Sequence, residues 1–381
     1  MKIDDKTSHN SPSIRFPEFT GEWEKCKLGT LATKVGSGST PKGGDAVYTS
    51  IGHYFVRSQN VGMGFLMLDN IAHINDDIHQ KHKATEIYEN DVLLNITGAS
   101  IGRTAVATKE LEGGNVNQHV CIIRTNSKVN PKFLCDYIQT QRIQNHIKSL
   151  QTGGSREGLN FEQIRSFPIS LPSINEQNKL TCLLDKINER IATQVRLIDR
   201  LQSLMIGIAQ KIAHSNKPNV RISDCLECSS SALQESEVNK TGKYPVYGAN
   251  GIVGYIDKYH TQNEAIYIIK DGSGVGGVSY VTGKCSSTGT LNILQAKNGH
   301  SLKYLYYLLK VFNFVPYKTG MAIPHIYFKD YGKAKIFCPA YPEQLEYVKL
   351  LSSIDGNLRI ALDSLKNFNL QKQYLLRHML I

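Results

Sequence analysis

The side chains with the clearest chemical capacity in this sequence are forked amides, guanidinium groups and ammonium groups placed beside glycine-rich turns. Arg57, Gln59 and Asn60 close the run HYFVRSQN. Gln and Asn can engage adenine through two hydrogen bonds, Arg can engage guanine likewise, and cations neutralise phosphates. The loop Ser37-Gly38-Ser39-Thr40-Pro41-Lys42 offers hydroxyls, backbone N–H groups and an ammonium. Thr97, Ser100 and Arg103 flank a second turn, and Gly153, Gly154, Ser155 and Arg156 form a third. Later in the chain the counterparts are Tyr247 and Asn250, then Lys270, Asp271 and Ser273, then Lys318, Thr319 and His325. Singly, most of them read as solvated loop residues. As a recurring set they suit a polyanion, with Lys and Arg setting affinity and Gln, Asn and some Arg setting sequence choice.

Catalytic motifs fare worse. Gly272-x-Gly274-x-x-Gly277 follows the strand-like AIYIIK, but a dinucleotide or S-adenosylmethionine loop should open a helix, and VSYVTGKCSSTG reads as strand and turn. A glycine-rich turn set that lets the backbone approach a partner closely is the better account. Gly277 to Lys284 misses the phosphate-loop pattern in spacing and lacks its hydroxyl. Asn130-Pro131-Lys132-Phe133 lacks the second Pro of an amino-methyltransferase motif. Cys225 and Cys228 form a C-x-x-C pair without the second pair a zinc ribbon needs, and are expected to be packing residues, so no metal site is expected.

Composition is compatible with these side chains. The 381 residues are 41% hydrophobic and 20% charged, which is globular, and long enough for two or three domains. The formal net charge of +11 and a pI near 9.1 favour polyanionic partners, nucleic acid first and acidic membrane surfaces second. No stretch approaches the roughly 20 apolar residues of a membrane span, and the polar residues 1–12 lack the apolar core of a signal peptide. The expectation is a cytoplasmic protein with reduced cysteines.

The elements that must position these residues come in two copies. LNFEQIRSFPISLPSINEQ (159–177) aligns with IYFKDYGKAKIFCPAYPEQ (326–344), pairing Phe161 with Phe328, Pro172 with Pro339 and Glu176-Gln177 with Glu343-Gln344 at an offset of 167. QTGGS (151–155) aligns with KTGMA (318–322) at the same offset. VLLNITGASIG (92–102) resembles IYIIKDGSGVG (266–276) at 174, and residues 60–65 resemble 250–255 at 190. After each Glu-Gln an apolar seam at alternating spacings of three and four runs through Leu184, Ile187, Ile191, Gln194, Ile198, Leu201, Met205, Ile208 and Ile212. Its partner runs through Leu351, Ile354, Leu358, Ala361, Leu365, Phe368, Lys372, Leu375 and Met379. Such heptads predict two long helices, the first roughly 60 Å in length, that zip together along a narrow seam. If the halves obey a pseudo-two-fold axis the helices run antiparallel. Ahead of each long helix lies a block, about 22–172 and 219–340, of short strands and glycine turns, each with one helix, at 131–150 and at 301–312.

With these features together, the sequence resembles the specificity subunits of type I restriction-modification systems. RFPEFTGEWEKCKLGTLA (15–32) resembles the start of many Gram-positive members, NITGASIGRTAVA (95–107) an element of their target-recognition domains, and PSINEQNKLTCLLDKINERIATQ (172–194) the lead-in to their central spacer helix. The second copy departs in detail, with KDGSGVGG for NITGASIG and PAYPEQ for PSINEQ. The resemblance implies an α+β fold: a leader at 1–21, target-recognition domain 1 at 22–172, a central spacer helix at 173–215, target-recognition domain 2 at 216–340 and a C-terminal spacer helix at 341–381, with the two helices as an antiparallel coiled coil. It implies a non-catalytic subunit that reads a bipartite site on double-stranded DNA and docks two methyltransferase subunits and, through them, restriction/translocase subunits. S-adenosylmethionine, ATP and Mg²⁺ would be bound by those partners. Two other readings stand beside it: a self-contained methyltransferase using the Gly272 loop, and a paired-domain scaffold for an acidic protein.

Overall fold

The duplication in the sequence is a duplication of strand order. In the computed structural model, which describes residues 10–151, 158–214, 217–320 and 322–381, the chain divides into unit 1, Met1–Ala192 with Lys366–Ile381, and unit 2, Thr193–Leu365.

Unit 1 contains β1 (Glu24–Lys27), α1 (Leu28–Leu31), β2 (Ala32–Ser37), β3 (His53–Val56), β4 (Ala72–Ile74), α2 (Asp76–Lys81), β5 (Val92–Asn95), β6 (Thr104–Val106), β7 (Asn115–Val116), β8 (Val120–Thr125), α3 (Pro131–Ile138), α4 (Gln141–Gln151), α5 (Phe161–Arg165) and β9 (Pro168–Leu171), followed by the long helix α6 (Ile174–His214). The strands form sheets ordered β2-β8-β5-β6, β4-β3-β7 and β1-β9. Unit 2 contains β10 (Val220–Arg221), α7 (Ile222–Cys225), β11 (Leu226–Ser230), β12 (Tyr244–Gly248), β13 (Gly251–Ile256), β14 (Glu264–Ile269), β15 (Val278–Thr282), β16 (Ser286–Ser287), β17 (Leu291–Ala296), α8 (Leu302–Lys310), α9 (Phe328–Tyr331) and β18 (Lys335–Ile336), followed by α10 (Tyr341–Met379). Its sheets are β11-β17-β14-β15, β13-β12-β16 and β10-β18, the same plan strand for strand. Even the parallel pair recurs, β3 with β7 and β12 with β16.

Both faces of each four-stranded sheet are covered, which explains why DVLLNIT and AIYIIK are continuous apolar runs. Val92, Leu94, Cys121 and Ile123 pack with Phe133, Leu134 and Tyr137 of α3, while Leu93, Val120 and Ile122 face the second cluster with Val56 and Val116. In unit 2, Ile266, Ile268 and Leu294 pack with Leu305 and Leu309 of α8, while Ala265, Tyr267 and Ile293 face the other way.

The Pro-x-x-x-Glu-Gln lead-in has a physical meaning carried by its Gln. Gln177 is fully buried. Its Oε1 accepts the backbone N–H of Asn130, the N-cap of α3, at 2.8 Å, and its Nε2 donates to the Pro172 carbonyl at 2.9 Å. Gln344 repeats both bonds, to Ser301, the N-cap of α8, at 2.8 Å and to Pro339 at 2.8 Å. Each long helix is thus bolted to the helix of its own domain. The Glu differs: Glu176 is buried in a bidentate pair with Arg15 at 2.7 and 2.8 Å, while Glu343 is exposed and accepts from Tyr347.

The two long helices follow the heptads and run antiparallel. Early α6 meets late α10 in unit 1, where Leu180 and Leu184 share a cluster with Leu376 and Met379. Late α6 meets early α10 in unit 2, where Ile198, Met205 and Ile212 pack with Leu351, Ile354 and Leu358. Every predicted seam position is buried or half-buried.

Two local expectations are corrected. The helix over 131–150 is broken at Gln139-Thr140, because the Thr140 hydroxyl donates to the Tyr137 carbonyl while the Thr140 carbonyl starts α4. Residues 60–65 and 250–255 are not equivalent. In unit 2 the chain turns at once from β12 into β13, whereas unit 1 inserts a long excursion, 57–71, between β3 and β4, so 60–65 is loop and 251–256 is strand.

Candidate nucleic-acid interface

The predicted loops of unit 1 converge on the C-terminal end of β5. Asn95 Nδ2 donates to the Ser58 carbonyl at 2.8 Å, which seats the segment carrying Arg57 and Gln59 beside that end. The Asn95 N–H donates to the Arg103 carbonyl, Ile96 donates to His119, and Leu159 donates to Ile96. Thr97 bridges to Gly158. The loop after β2 joins through Gly38, whose N–H donates to the Asn117 carbonyl at 3.2 Å. A Cβ at Gly38 would lie 1.7 Å from the Val116 carbonyl oxygen, so only glycine permits this approach.

The side chains form a chain of hydrogen bonds across this rim. Thr40 donates to Gln118 Oε1, Gln118 Nε2 lies 3.1 Å from His119 Nε2, and His119 Nδ1 lies 2.6 Å from the Thr97 hydroxyl. The tautomer that satisfies both contacts protonates Nδ1, so that Gln118 donates to the ring and the ring donates to Thr97. Gln118 and His119 were not among the residues expected from sequence. Their signal was present: a polar Asn117-Gln118-His119 run directly ahead of the buried strand VCIIRT.

Unit 2 repeats the frame with different side chains. The Lys270 N–H donates to Thr290, Ile326 donates to the Lys270 carbonyl, and Asp271 bridges to His325. These bonds match those of Ile96 with His119, Leu159 with Ile96, and Thr97 with Gly158. Likewise Asn117 donates to Val56, and Thr288 donates to Tyr247. Thr97, Gly158, His119 and Gln118 of the first rim are therefore replaced by Asp271, His325, Thr290 and Gly289 in the second. Thr319 pairs with His325 through two backbone bonds, and this brings Lys318 and Thr319 to the same edge.

Of the residues singled out in the sequence, Ser39, Thr40, Lys42, Gln59, Arg103, Asn250, Ser273, Lys318 and Thr319 are exposed, and Ser37, Thr97, Ser100 and Lys270 half-buried. Among the described residues, Lys42, Arg103, Lys270 and Lys318 make no ion pair. Arg57 is half-buried with its guanidinium 5.5 Å from the centre of the Tyr48 ring, and its buried Nε has no hydrogen-bond partner among the described residues. Gly154, Ser155 and Arg156 lie outside the described residues.

Three placements bear on the sequence reading. Asn60 is 2% exposed; its Oδ1 accepts from Arg57 N and its Nδ2 donates to the Met67 carbonyl, so both ends of the amide hold the loop. Tyr247 is half-buried and packs edge-on against Tyr267 at 5.8 Å, beside the second apolar cluster of unit 2. His325 commits Nδ1 to Asp271 at 2.7 Å, leaving only Nε2 for another partner. The Gly272 loop is a set of β-turns leading into β15: the N–H groups of Gly272, Val275, Gly276 and Gly277 are all donated to backbone carbonyls, so they do not converge on an anion.

Comparison with known proteins agrees with this architecture. The chain is similar to a putative type I restriction enzyme specificity subunit of Haemophilus influenzae, 26% identical over 32% of the chain, and to the EcoBI specificity subunit of Escherichia coli, 24% identical over 35% of the chain. It spans 32% and 28% of the length of these two relatives. The fold resembles a crystal structure of the type I restriction-modification S subunit from M. genitalium, with a TM-score of 0.66, 16% identity, and coverage of 97% of this chain and 99% of that one. It also resembles a chain from a structure concerned with complex assembly and conformational transition of the type I R-M system, with a TM-score of 0.54, 17% identity, and coverage of 93% and 96%. The family model described as the type I restriction modification DNA specificity domain matches twice, over residues 20–203 and 215–367, one match for each copy of the repeat. With both halves matched and the same nine-strand plan in each, this chain belongs to the family of type I restriction-modification DNA specificity domains.

Proposed function

We propose that this chain is the DNA-reading subunit of a cytoplasmic type I restriction-modification complex. In this reading each rim grips one half of a bipartite site on duplex DNA, and α6 and α10 fix the gap between the halves. The same helices dock two methyltransferase subunits, through which restriction/translocase subunits join. The chemistry, with its S-adenosylmethionine, ATP and Mg²⁺, belongs to those partners.

The observation that carries the reading is the repetition of one backbone frame with exchanged side chains. The hydrogen bonds that build the rim recur at Ile96 and Lys270, yet the groups presented change from Thr97, His119 and Gln118 to Asp271, Thr290 and Gly289. A frame held constant while its donors and acceptors vary is what two readers of unlike sequences require. Unpaired cations beside both rims supply the sequence-independent attraction to phosphate.

Methylome sequencing of cells carrying this chain with its methyltransferase should reveal one asymmetric motif of two short blocks, and footprinting should give two protected patches roughly one helical turn apart. A single contiguous motif, or no protection, overturns the reading and favours the scaffold. Stoichiometric binding of labelled S-adenosylmethionine by the chain alone would restore the methyltransferase alternative.

A further inference from the structure

Within unit 2, three side chains from distant parts of the sequence meet: Cys225 at the end of α7, His300 just ahead of α8, and Cys338 just after β18. Their ligand atoms all lie within 4.8 Å of one another, with Cys338 Sγ 3.4 Å from His300 Nδ1. Both cysteines are buried and His300 is half-buried. In a tetrahedral zinc site with Zn–S near 2.3 Å and Zn–N near 2.0–2.1 Å, neighbouring sulfur and nitrogen ligands stand about 3.5 Å apart. The 3.4 Å between Cys338 Sγ and His300 Nδ1 is that spacing, and Cys225 Sγ lies close enough to complete the set with a small side-chain adjustment. The sequence alone reads Cys225 and Cys228 as packing residues; in the fold Cys225 lies with His300 and Cys338, and Cys228 is not part of the group.

The repeat supplies an independent argument. Equivalent positions in unit 1 are fixed by equivalent bonds. Lys297 donates to the Cys225 carbonyl as Asn126 donates to Leu31. Strand β10 pairs Val220 with Ile336 as β1 pairs Cys26 with Ile169, placing Cys338 where Leu171 stands. His300 precedes the N-cap Ser301 as Val129 precedes Asn130, and both caps are held by the equivalent glutamines. The unit 1 counterparts of Cys225, His300 and Cys338 are thus Leu31, Val129 and Leu171, all buried in the apolar core. One architecture fills this spot once with three aliphatic side chains and once with three ligating ones. Packing alone accounts for a single buried cysteine. It gives no reason for all three touching positions to change together to soft-metal ligands.

We propose that Cys225, His300 and Cys338 form a structural site for a soft transition-metal ion of the Zn²⁺ class, with a solvent-derived fourth ligand. Two thiolates and an imidazole select such an ion over Mg²⁺ or Ca²⁺. The ion clamps the start of the second repeat, the N-terminus of α8 and the lead-in to α10, and leaves unit 1 without a counterpart.

The test uses the full chain, purified under reducing conditions, stripped with a chelator and reloaded with ZnCl₂. Bound metal is counted after desalting, and Tm is followed against free zinc. A second titration with Co²⁺ reports thiolate ligation through a sulfur-to-cobalt charge-transfer band. The controls are Cys338→Ser and the triple variant Cys225→Leu, His300→Val, Cys338→Leu, whose side chains the fold already accommodates in unit 1. We expect about one zinc per wild-type chain, a Tm that rises with free zinc, and the cobalt band. Both variants should lose all three responses, with the triple variant still folded. Wild-type protein that retains no more zinc than the triple variant overturns the proposal. So does a reduced chain whose thiols form a Cys225–Cys338 disulfide on air exposure but bind no metal beforehand.

Discussion

Gln194 Nε2 donates to the main-chain carbonyl of Ala361 at 3.1 Å, and these two residues are each other's counterpart, 167 positions apart. Antiparallel helices related by a two-fold axis bring equivalent positions together only where the axis crosses them. The one polar residue in the apolar seam of α6 thus meets its own counterpart on α10. A polar group at a seam position lowers stability and specifies register. Replacing Gln194 with Leu should raise Tm, since the Ala361 carbonyl also lies within a helix and is not orphaned. A fall in Tm would show that the bond stabilises more than it specifies.

Non-specific affinity should depend on Lys42 and Lys318, exposed ammonium groups beside the first and second rims. Changing either to Ala should weaken binding to every duplex and reduce the salt slope by about 0.9. The check is a titration at several salt concentrations with cognate and unrelated DNA. Loss confined to one sequence would move the residue from phosphate to base contact.

Gln59 and Asn60 are adjacent amides with opposite fates. Gln59 is exposed, so Gln59→Ala should relax sequence choice in one half-site, by roughly 1–3 kcal/mol, without changing Tm. Asn60→Ala should instead destabilise the fold by about 1–3 kcal/mol, since it empties a buried position and removes both bonds that hold the loop, from the Arg57 N–H and to the Met67 carbonyl. Denaturation and competition binding on both variants separate the effects. Equal Tm losses, or specificity lost through Asn60 alone, would reverse the assignment.

Asp136 in α3 gives unit 1 a pH dependence. Burial pushes its carboxyl up to about 7 from an ordinary 3.8, against the pull of the Lys372 and Lys132 ammonium groups and with a smaller push from Asp185. The native carboxyl then holds its proton where the unfolded one has released it. Its contribution is full below about pH 4 and is lost as pH rises through about 7. Asp136→Asn should flatten that decline and leave the variant more stable than wild type at pH 8, by an amount on the order of a few kcal/mol. Urea midpoints at pH 5 and pH 8 decide it: an unchanged difference between them removes Asp136 as the cause.

The long-range plan of this protein was legible because its signals are local and periodic. A heptad is read off neighbouring turns of one helix, and a rigid helix keeps its phase, so the seam from Leu184 to Ile212 and its copy 167 residues on were visible without coordinates. The Pro-x-x-x-Glu-Gln blocks were visible for a related reason: half of each block's task is local, with Gln177 reaching the carbonyl of Pro172, although its other bond, to Asn130, is made only in the fold.

Where loop lengths differ, the register of the repeat slips and sequence comparison misleads, as with residues 60–65 against 250–255. The exposed amide of Gln59 and the buried one of Asn60 are chemically equal until a turn decides which faces water. Gln118 and His119 acquire their importance only when β8 brings them beside Thr40 and Thr97. Sequence by itself determined the duplication, the helical seam and the cationic character, because these are properties of residue order and count. Tertiary structure alone decided which loops share a rim and that Cys225, His300 and Cys338 meet, because such neighbours are made by sheet closure, a relation between segments that no local pattern encodes.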